Sequence, residues 1–149
     1  MLIQEVLDQQ GRMALRIESG LSVEDAINLM TEKDTTALIV VEGGSPVGIF
    51  TEKDVLLSYV KFNRRPYEEI KLKNAMTNKL IVAKPEDEID VSISLMIQAG
   101  IRHLPVVDNG QITALLYICD LVRHQVGTLS TELHYLEEYL SDLHDAGRD

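Results

Sequence analysis

Thr51 and Asp54 place a hydroxyl and a carboxylate three residues apart, where an apolar strand pattern passes into a helical one. Two interpretations compete. In a capping box, both side chains bond to backbone N–H groups at the start of the helix. In a binding site, the carboxylate accepts the vicinal hydroxyls of a ribose, and the Thr hydroxyl and helix N–H groups meet a phosphate. Gly48 would then let the ligand approach the strand closely.

An internal repeat bears on this choice. The chain aligns with itself, without a gap, at an offset of 66 residues. Tyr117 stands at the position of Thr51 and cannot cap as Thr does, yet Asp120 stands in register with Asp54. A carboxylate without its capping partner is easier to explain as a ligand group, so the repeat favours binding. Other aligned pairs are Ile27 with Ile93, Leu38 with Leu104, and Gly44 with Gly110.

The first copy of the repeat reads as β-α-β-β-α. Ser22 followed by Asp25 is a helix start, and the Gly43-Gly44 dipeptide lies in a turn between two apolar runs. The predicted elements are strands at 13–17, 37–41 and 47–51, a helix after Ser22, and a helix at 52–60.

The second copy contains an ambiguous segment at residues 89–95. Its apolar and polar residues alternate as in a half-buried strand. The repeat register instead places Ile89, Ser92 and Met96 on the face that Val23, Ala26 and Met30 occupy in the first helix, so we predict a helix. Strands are predicted at 80–83, 102–107 and 111–116, with Asp108-Asn109-Gly110 as a hairpin turn.

The predicted domain organisation has four parts. Residues 2–61 form the first repeat, 62–71 a linker, 72–127 the second repeat and 128–149 a helical extension. In the extension, leucines at 133, 136, 140 and 143 recur at helical spacing, which predicts an amphipathic helix over 130–144. It packs on its own chain or on a partner subunit, and we favour a dimer contact.

Composition excludes several classes of protein. A net charge of −10 argues against a nucleic-acid partner. Half of the basic residues lie within 61–84, either as a solvated linker or as a patch for a few phosphates. We expect a cytoplasmic protein without a membrane segment or secretory signal, and a buried Cys119. No catalytic set or metal-ligand spacing is evident, so we expect neither an enzyme nor a metal.

Three segments carry a family resemblance: residues 48–54, 74–77 and 100–108. Within the doubled β-α-β-β-α unit, they resemble tandem cystathionine β-synthase (CBS) domains over about residues 2–127. The resemblance implies an α+β fold in which two repeats pack sheet to sheet about a pseudo-twofold axis. It also implies two clefts of the kind that commonly bind AMP, ADP, ATP or S-adenosylmethionine.

The resemblance assigns roles to residues in each cleft. In one, Asp54 would hold ribose hydroxyls, Thr51 would contact ribose or phosphate, and main chain at 16–19 would border the base. In the other, Asp120 would hold ribose, with Thr77 and residues 81–84 nearby. Arg102 and His103 would approach phosphates from the opposite repeat; alternatively, His103 is an ordinary hydrogen-bonded histidine.

Departures from the family pattern predict unequal clefts. Ala114 and Tyr117 replace the expected glycine and hydroxyl, so the second cleft is either empty or stacks an aromatic ligand on Tyr117. The site at Thr51 and Asp54 is expected to be the better one.

The leading hypothesis is a regulatory module that senses an adenosine-containing small molecule between its repeats and signals to an unidentified partner protein. It requires no obligatory cofactor and forms a homodimer. The alternative is a structural or scaffolding dimer whose clefts are vestigial and whose Thr51 and Asp54 only cap a helix.

Overall fold

A computed structural model describes residues 1–10, 13–127, 138 and 140–143 of the chain. It is a mixed α+β structure with two small sheets, which confirms the predicted fold class. The helices are α1 (Ile3–Gln10), α2 (Val23–Glu32), α3 (Glu52–Lys61), α4 (Leu72–Ala75), α5 (Ile89–Ala99) and α6 (Ile118–Gly127). The strands are β1 (Arg16–Glu18), β2 (Ala37–Glu42), β3 (Ser45–Thr51), β4 (His103–Asp108) and β5 (Gln111–Tyr117), and a 3-10 turn spans Tyr67–Glu69.

The first repeat has the predicted β-α-β-β-α order, but its first strand lies at Arg16–Glu18 and not at the predicted 13–17. Strand β1 pairs parallel with β2, and β2 pairs antiparallel with β3. Helix α2 connects β1 to β2 and begins at a complete capping box: Asp25 N–H donates to the Ser22 hydroxyl at 3.1 Å, and Ser22 N–H donates to the Asp25 carboxylate at 3.0 Å. Its buried face carries Val23, Ala26 and Met30.

The second repeat confirms the helix that the register predicted over the alternating segment. Helix α5 buries Ile89, Ser92 and Met96 and ends at Gly100, whose φ of 69° is the left-handed conformation that glycine adopts readily. The alternating pattern misled because the helix is apolar on several sides: Val91 and Ile97 are exposed.

The strand predicted at 80–83 is wrong. Only Ala83 pairs there, through Ala83 N–H to Pro105 O at 2.9 Å and Val107 N–H to Ala83 O at 2.8 Å. The chain turns immediately afterwards, where the Lys84 N–H donates to the Asp87 carboxylate, so no ladder extends from Ala83.

Helix α1 was not anticipated from the sequence, and it packs on the second repeat rather than the first. Ile3 and Val6 are fully buried in the same cluster as Ile89. Ile3 N–H donates to Asp87 O, and Ile89 N–H donates to Met1 O, each at 2.9 Å. The boundaries above count this helix with the first repeat, whereas its packing joins it to the second.

Three apolar clusters stabilise the fold. One lies inside each repeat, around Phe50 in the first and Leu116 in the second. The third joins the two sheets, where Ile39 and Val41 of β2 pack with Ile112 and Leu115 of β5. Burial of apolar surface therefore holds the repeats together as well as folding each one.

Two remaining expectations concern the second repeat and the C-terminal segment. Cys119 is exposed, so its predicted burial is wrong; it lies on the outer side of α6 while the adjacent Asp120 and Leu121 face inward. Most of the helix predicted over 130–144 lies outside the described residues. Among the described residues, no helix has both the length and the apolar character required to cross a bilayer.

Candidate ligand-binding site

A cleft of about 1000 Å³ lies between the repeats; we call it the first cleft. This volume is at the upper end of the roughly 300–1000 Å³ typical of small-molecule sites. Its walls come from residues within 27–36 and 49–57 of the first repeat and within 77–81 and 99–105 on the side of the second. A molecule bound here would contact both repeats.

Asp54 is held at the N-terminus of α3, and its side chain is almost fully buried. Its Oδ2 accepts the Thr51 N–H at 3.0 Å and, at a longer 3.4 Å, the Thr51 hydroxyl. Its Oδ1 accepts the Thr77 hydroxyl at 3.1 Å. The carboxylate half of a capping box is therefore formed, and the first cleft brings Thr51, Asp54 and Thr77 together.

The placement of Thr77 corrects the expectation that it borders the second cleft with Asp120. Thr77 pairs with Ile49 on the edge of β3, through bonds of 2.8 and 2.9 Å, so the chain enters the second repeat beside Thr51. Residues 79–81 follow it into the first cleft. Main chain at 16–19, expected to border the base at Asp54, does not line the first cleft.

Gly48 also has a different role from the expected close approach of a ligand. A Cβ added to Gly48 would lie 2.7 Å from both the Met76 sulfur and the Thr77 carbonyl oxygen. The space beside Gly48 is filled by the chain itself, and Gly48 is not among the residues that line the cleft. The glycine permits the pairing that brings Thr77 to Asp54.

Arg102 and His103 reach the first cleft from the second repeat. His103 Nε2 lies 2.7 Å from the Thr36 hydroxyl, and its ring meets that of Tyr117 edge-on. Burial lowers the pKa of His103, with a further lowering from Arg102 that Glu52 opposes. The neutral imidazole is therefore favoured at this wall.

Three cationic side chains line the first cleft: Lys53, Lys79 and Arg102. Each is exposed, and none has an ion-pair partner among the described residues. Lys53 was missed at the sequence level, although it lies inside the Thr51–Asp54 segment, whereas Lys79 belongs to the basic stretch that was considered as a patch for phosphates. Of the basic stretch at 61–84, Lys79 faces the cleft, whereas Arg65 pairs with Glu69 at 3.5 Å.

A second, much smaller cleft lies beside Tyr117, and Asp120 is not among the residues that line it. The second cleft has a volume of about 210 Å³ and is lined in part by Tyr117. Asp120 is fully buried, and its Oδ2 accepts the Tyr117 N–H at 3.3 Å. The view that Asp120 lacks a capping partner is wrong. The backbone N–H of residue 117 donates to the carboxylate, and this bond does not depend on which side chain residue 117 carries.

Metal binding has no candidate in the part of the chain that the structure describes. No group of three or more His, Cys, Asp or Glu side chains there is positioned to hold an ion.

Comparison with known proteins identifies the family. The CBS domain family matches residues 14–61 and 69–127. The mitochondrial CBS domain-containing protein CBSX3 of Arabidopsis thaliana is 32% identical over 147 residues, covering 93% of this chain and 71% of that protein.

Two solved structures show the same fold. A putative signal-transduction protein with CBS domains from Burkholderia ambifaria superposes with a TM-score of 0.79 at 32% identity, covering 85% of this chain and 95% of that one. The CBS domain pair of protein MJ0100, solved with 5′-methylthioadenosine and S-adenosyl-L-methionine, gives a TM-score of 0.71 at 21% identity over 83% of this chain and 98% of that one. CBS domain pairs are regulatory modules. From its matched repeats and its fold, this chain belongs to the CBS domain family and carries two such domains in tandem.

Proposed function

We propose that this protein is a regulatory module that binds an adenosine-containing small molecule in the first cleft. The observation that carries the proposal is the position of Asp54. Its carboxylate is fixed at a helix N-terminus in the wall of a cleft large enough for a nucleotide. The adenosine ligands of the MJ0100 pair support the ligand class.

The hydrogen bonds of Asp54 leave room for a ribose. A carboxylate has about four lone-pair sites, and three are used within the chain. The Thr51 hydroxyl donates at 3.4 Å, which is long for such a bond, so a ribose hydroxyl replaces it at little cost. The Thr51 hydroxyl is then free to turn toward the sugar or an attached phosphate, while Thr77 keeps its bond to Oδ1.

The cationic side chains favour a phosphorylated ligand over S-adenosylmethionine. None of the three, Lys53, Lys79 and Arg102, has an ion-pair partner among the described residues. Phosphate oxygens of a bound ligand would be such partners. S-adenosylmethionine carries a positive sulfonium and gains less from the same wall. AMP, ADP and ATP are therefore the preferred ligands.

The proposed regulation depends on the fact that both repeats contribute walls to the first cleft. A ligand that binds one relative arrangement of the repeats more tightly shifts the population toward it, by no more than that difference in affinity. The changed surface is then presented to a partner protein. Exposed apolar side chains on α3 and α5, including Leu56, Val60, Val91 and Ile97, form the proposed contact with a second copy of the chain.

The alternative is a scaffolding dimer that binds no ligand. The observation that favours it is that both oxygens of Asp54 already accept hydrogen bonds from the chain. In that case Asp54 only stabilises α3 and the junction with Thr77. Neither proposal involves catalysis, and the cytoplasmic location stays a prediction.

Thermal unfolding with AMP, ADP, ATP and S-adenosylmethionine tests the choice, using the parent chain, Asp54→Ala and Asp25→Ala. Asp25 is a matched control because it accepts the Ser22 N–H at 3.0 Å, as Asp54 accepts that of Thr51, but lies outside the cleft. At a ligand concentration of about 100 times the dissociation constant, binding adds about 2.7 kcal/mol to stability.

The regulatory proposal expects a nucleotide-induced rise in melting temperature for the parent and for Asp25→Ala, and none for Asp54→Ala. It also expects Lys79→Ala to weaken the rise with ATP more than any rise with S-adenosylmethionine. If no compound raises the melting temperature of the parent, and both Ala variants are simply destabilised, the scaffolding alternative stands.

A further inference from the structure

The two clefts are equivalent positions of the repeat. Each residue that lines the second cleft lies 66 positions from a residue that lines the first. Leu15 corresponds to Ile81, Thr35 to Ile101, and Tyr117 to Thr51. The same backbone frame therefore encloses about 1000 Å³ in one place and about 210 Å³ in the other.

Tyr117 accounts for much of this difference, because its side chain crosses the second cleft. Its hydroxyl lies 2.7 Å from the Thr35 hydroxyl and accepts the Thr36 N–H at 3.2 Å. Thr35 and Thr36 correspond to Ile101 and Arg102 in the first cleft. There, the span from Thr51 to Ile101 and Arg102 is open space for a ligand.

We propose that Tyr117 is an intramolecular plug that occupies the second ligand position, so that each chain takes one adenosine ligand instead of two. Residue 117 thus determines the stoichiometry of the module. The ring fills the position between the two walls, and the phenol oxygen bonds the far wall. This inference rests on the proposed function of the first cleft.

The plug also contacts a wall of the first cleft. The Tyr117 and His103 ring centroids lie 4.9 Å apart, at an interplanar angle of 83°. His103 in turn bonds Thr36, whose N–H donates to the Tyr117 hydroxyl. Tyr117, His103 and Thr36 therefore each contact the other two. Through these contacts, Tyr117 fixes the segment Thr35-Thr36, which lies between the two clefts.

Equilibrium dialysis against labelled AMP and labelled S-adenosylmethionine measures the number of ligands per chain. The parent is expected to bind one, and Tyr117→Thr, which copies Thr51, two. Tyr117→Phe keeps the ring and stays at one. Adding Asp120→Ala to Tyr117→Thr returns the number to one, and the reciprocal Thr51→Tyr abolishes binding. A parent that binds two, or a folded Tyr117→Thr that stays at one, overturns the proposal.

A second measurement separates failure of the plug from failure of the proposed function. Replacing Tyr117 with Ala removes the equivalent of a phenol molecule, so phenol at low millimolar concentration should raise the melting temperature of Tyr117→Ala. The parent should not respond, and neither should Tyr59→Ala, because Tyr59 is 48% exposed and its removal leaves no enclosed space. If neither AMP nor S-adenosylmethionine binds but phenol rescues Tyr117→Ala alone, the ligand proposal fails and the plug stands. If phenol has no effect, the plug is wrong.

Discussion

The two repeats share the irregular details of their hairpins and differ in the clefts beside the helices that follow. Gly43-Gly44 and Asn109-Gly110 each form a two-residue turn with positive φ at both residues, the geometry of tightly connected antiparallel strands. Each hairpin also has a register shift at the same repeat position, between Val40 and Val41 and between Val106 and Val107.

After each hairpin an Asp accepts the backbone N–H three residues before it, yet the first cleft is wide and the second narrow. Keeping the Asp preserves the helix start in both repeats. The side chain three residues earlier, Thr51 or Tyr117, is free to vary because its backbone does the capping. On the proposed role of Tyr117, this one position controls access to the second cleft while the capping bond at the helix start is kept.

The largest expected effect tests whether the two cores are equivalent. Leu38 and Leu104 occupy the same repeat position, and both are fully buried. Replacing either with Ala should lower the free energy of unfolding by about 2–5 kcal/mol, from lost burial and the cavity left behind. Urea denaturation measures the loss. Two transitions, or a loss confined to one variant, would contradict a single cooperative unit joined by the cluster between the sheets.

A smaller effect distinguishes the two strands that lead to the clefts. Gly48→Ala forces a methyl group against the Met76 sulfur and the Thr77 carbonyl, and such overpacking costs about 1–3 kcal/mol. The matched change Ala114→Gly, at the equivalent position, creates no such contact, and it costs about 0.5–1 kcal/mol through added backbone freedom and about 0.8 kcal/mol for the buried methyl group. Chemical denaturation of both variants gives the comparison. No loss in Gly48→Ala would show that the crossing of Thr77 over β3 is not tightly packed.

The smallest expected effect is a pH dependence of stability that arises from the first cleft alone. The second cleft has no counterpart of His103, because Ala37 stands at the equivalent repeat position. Burial lowers the pKa of His103 in the folded chain. In the unfolded chain, His103 has its ordinary pKa of about 6.5, so as the pH falls it is protonated there before it is protonated in the folded chain. Stability therefore falls as the pH drops from about 6.5 toward the lower folded pKa.

His103→Gln should remove part of this loss, while the carboxylates contribute alike to parent and variant. Melting temperatures between about pH 5 and pH 8 provide the measurement, around the ordinary His value. A difference between parent and variant that does not change over this range would contradict the assigned role of His103.

Much of the fold could be predicted from the sequence because it depends on short-range interactions. The Ser22–Asp25 capping box, the turn at Asn109-Gly110 and the helix at 89–99 follow from neighbouring residues and from the repeat register. The register mattered most for α5, where alternation alone favoured a strand. The composition of the first cleft was also partly predicted, since Thr51, Asp54, Arg102 and His103 all line it.

Tertiary structure decided which of these elements meet. Whether Thr77 lies with Asp54 or Asp120 depends on which strand edge the chain follows into the second repeat, and no local signal records that. The docking of α1 on the second repeat and the contact of Tyr117 with Thr35 likewise join residues more than 80 positions apart. The sequence by itself determined the repeated unit and its helix caps, because those are interactions over a few residues. Only the packed structure decided that one copy encloses an open cleft and the other is filled by its own side chain, because that depends on what stands across the interface between the repeats.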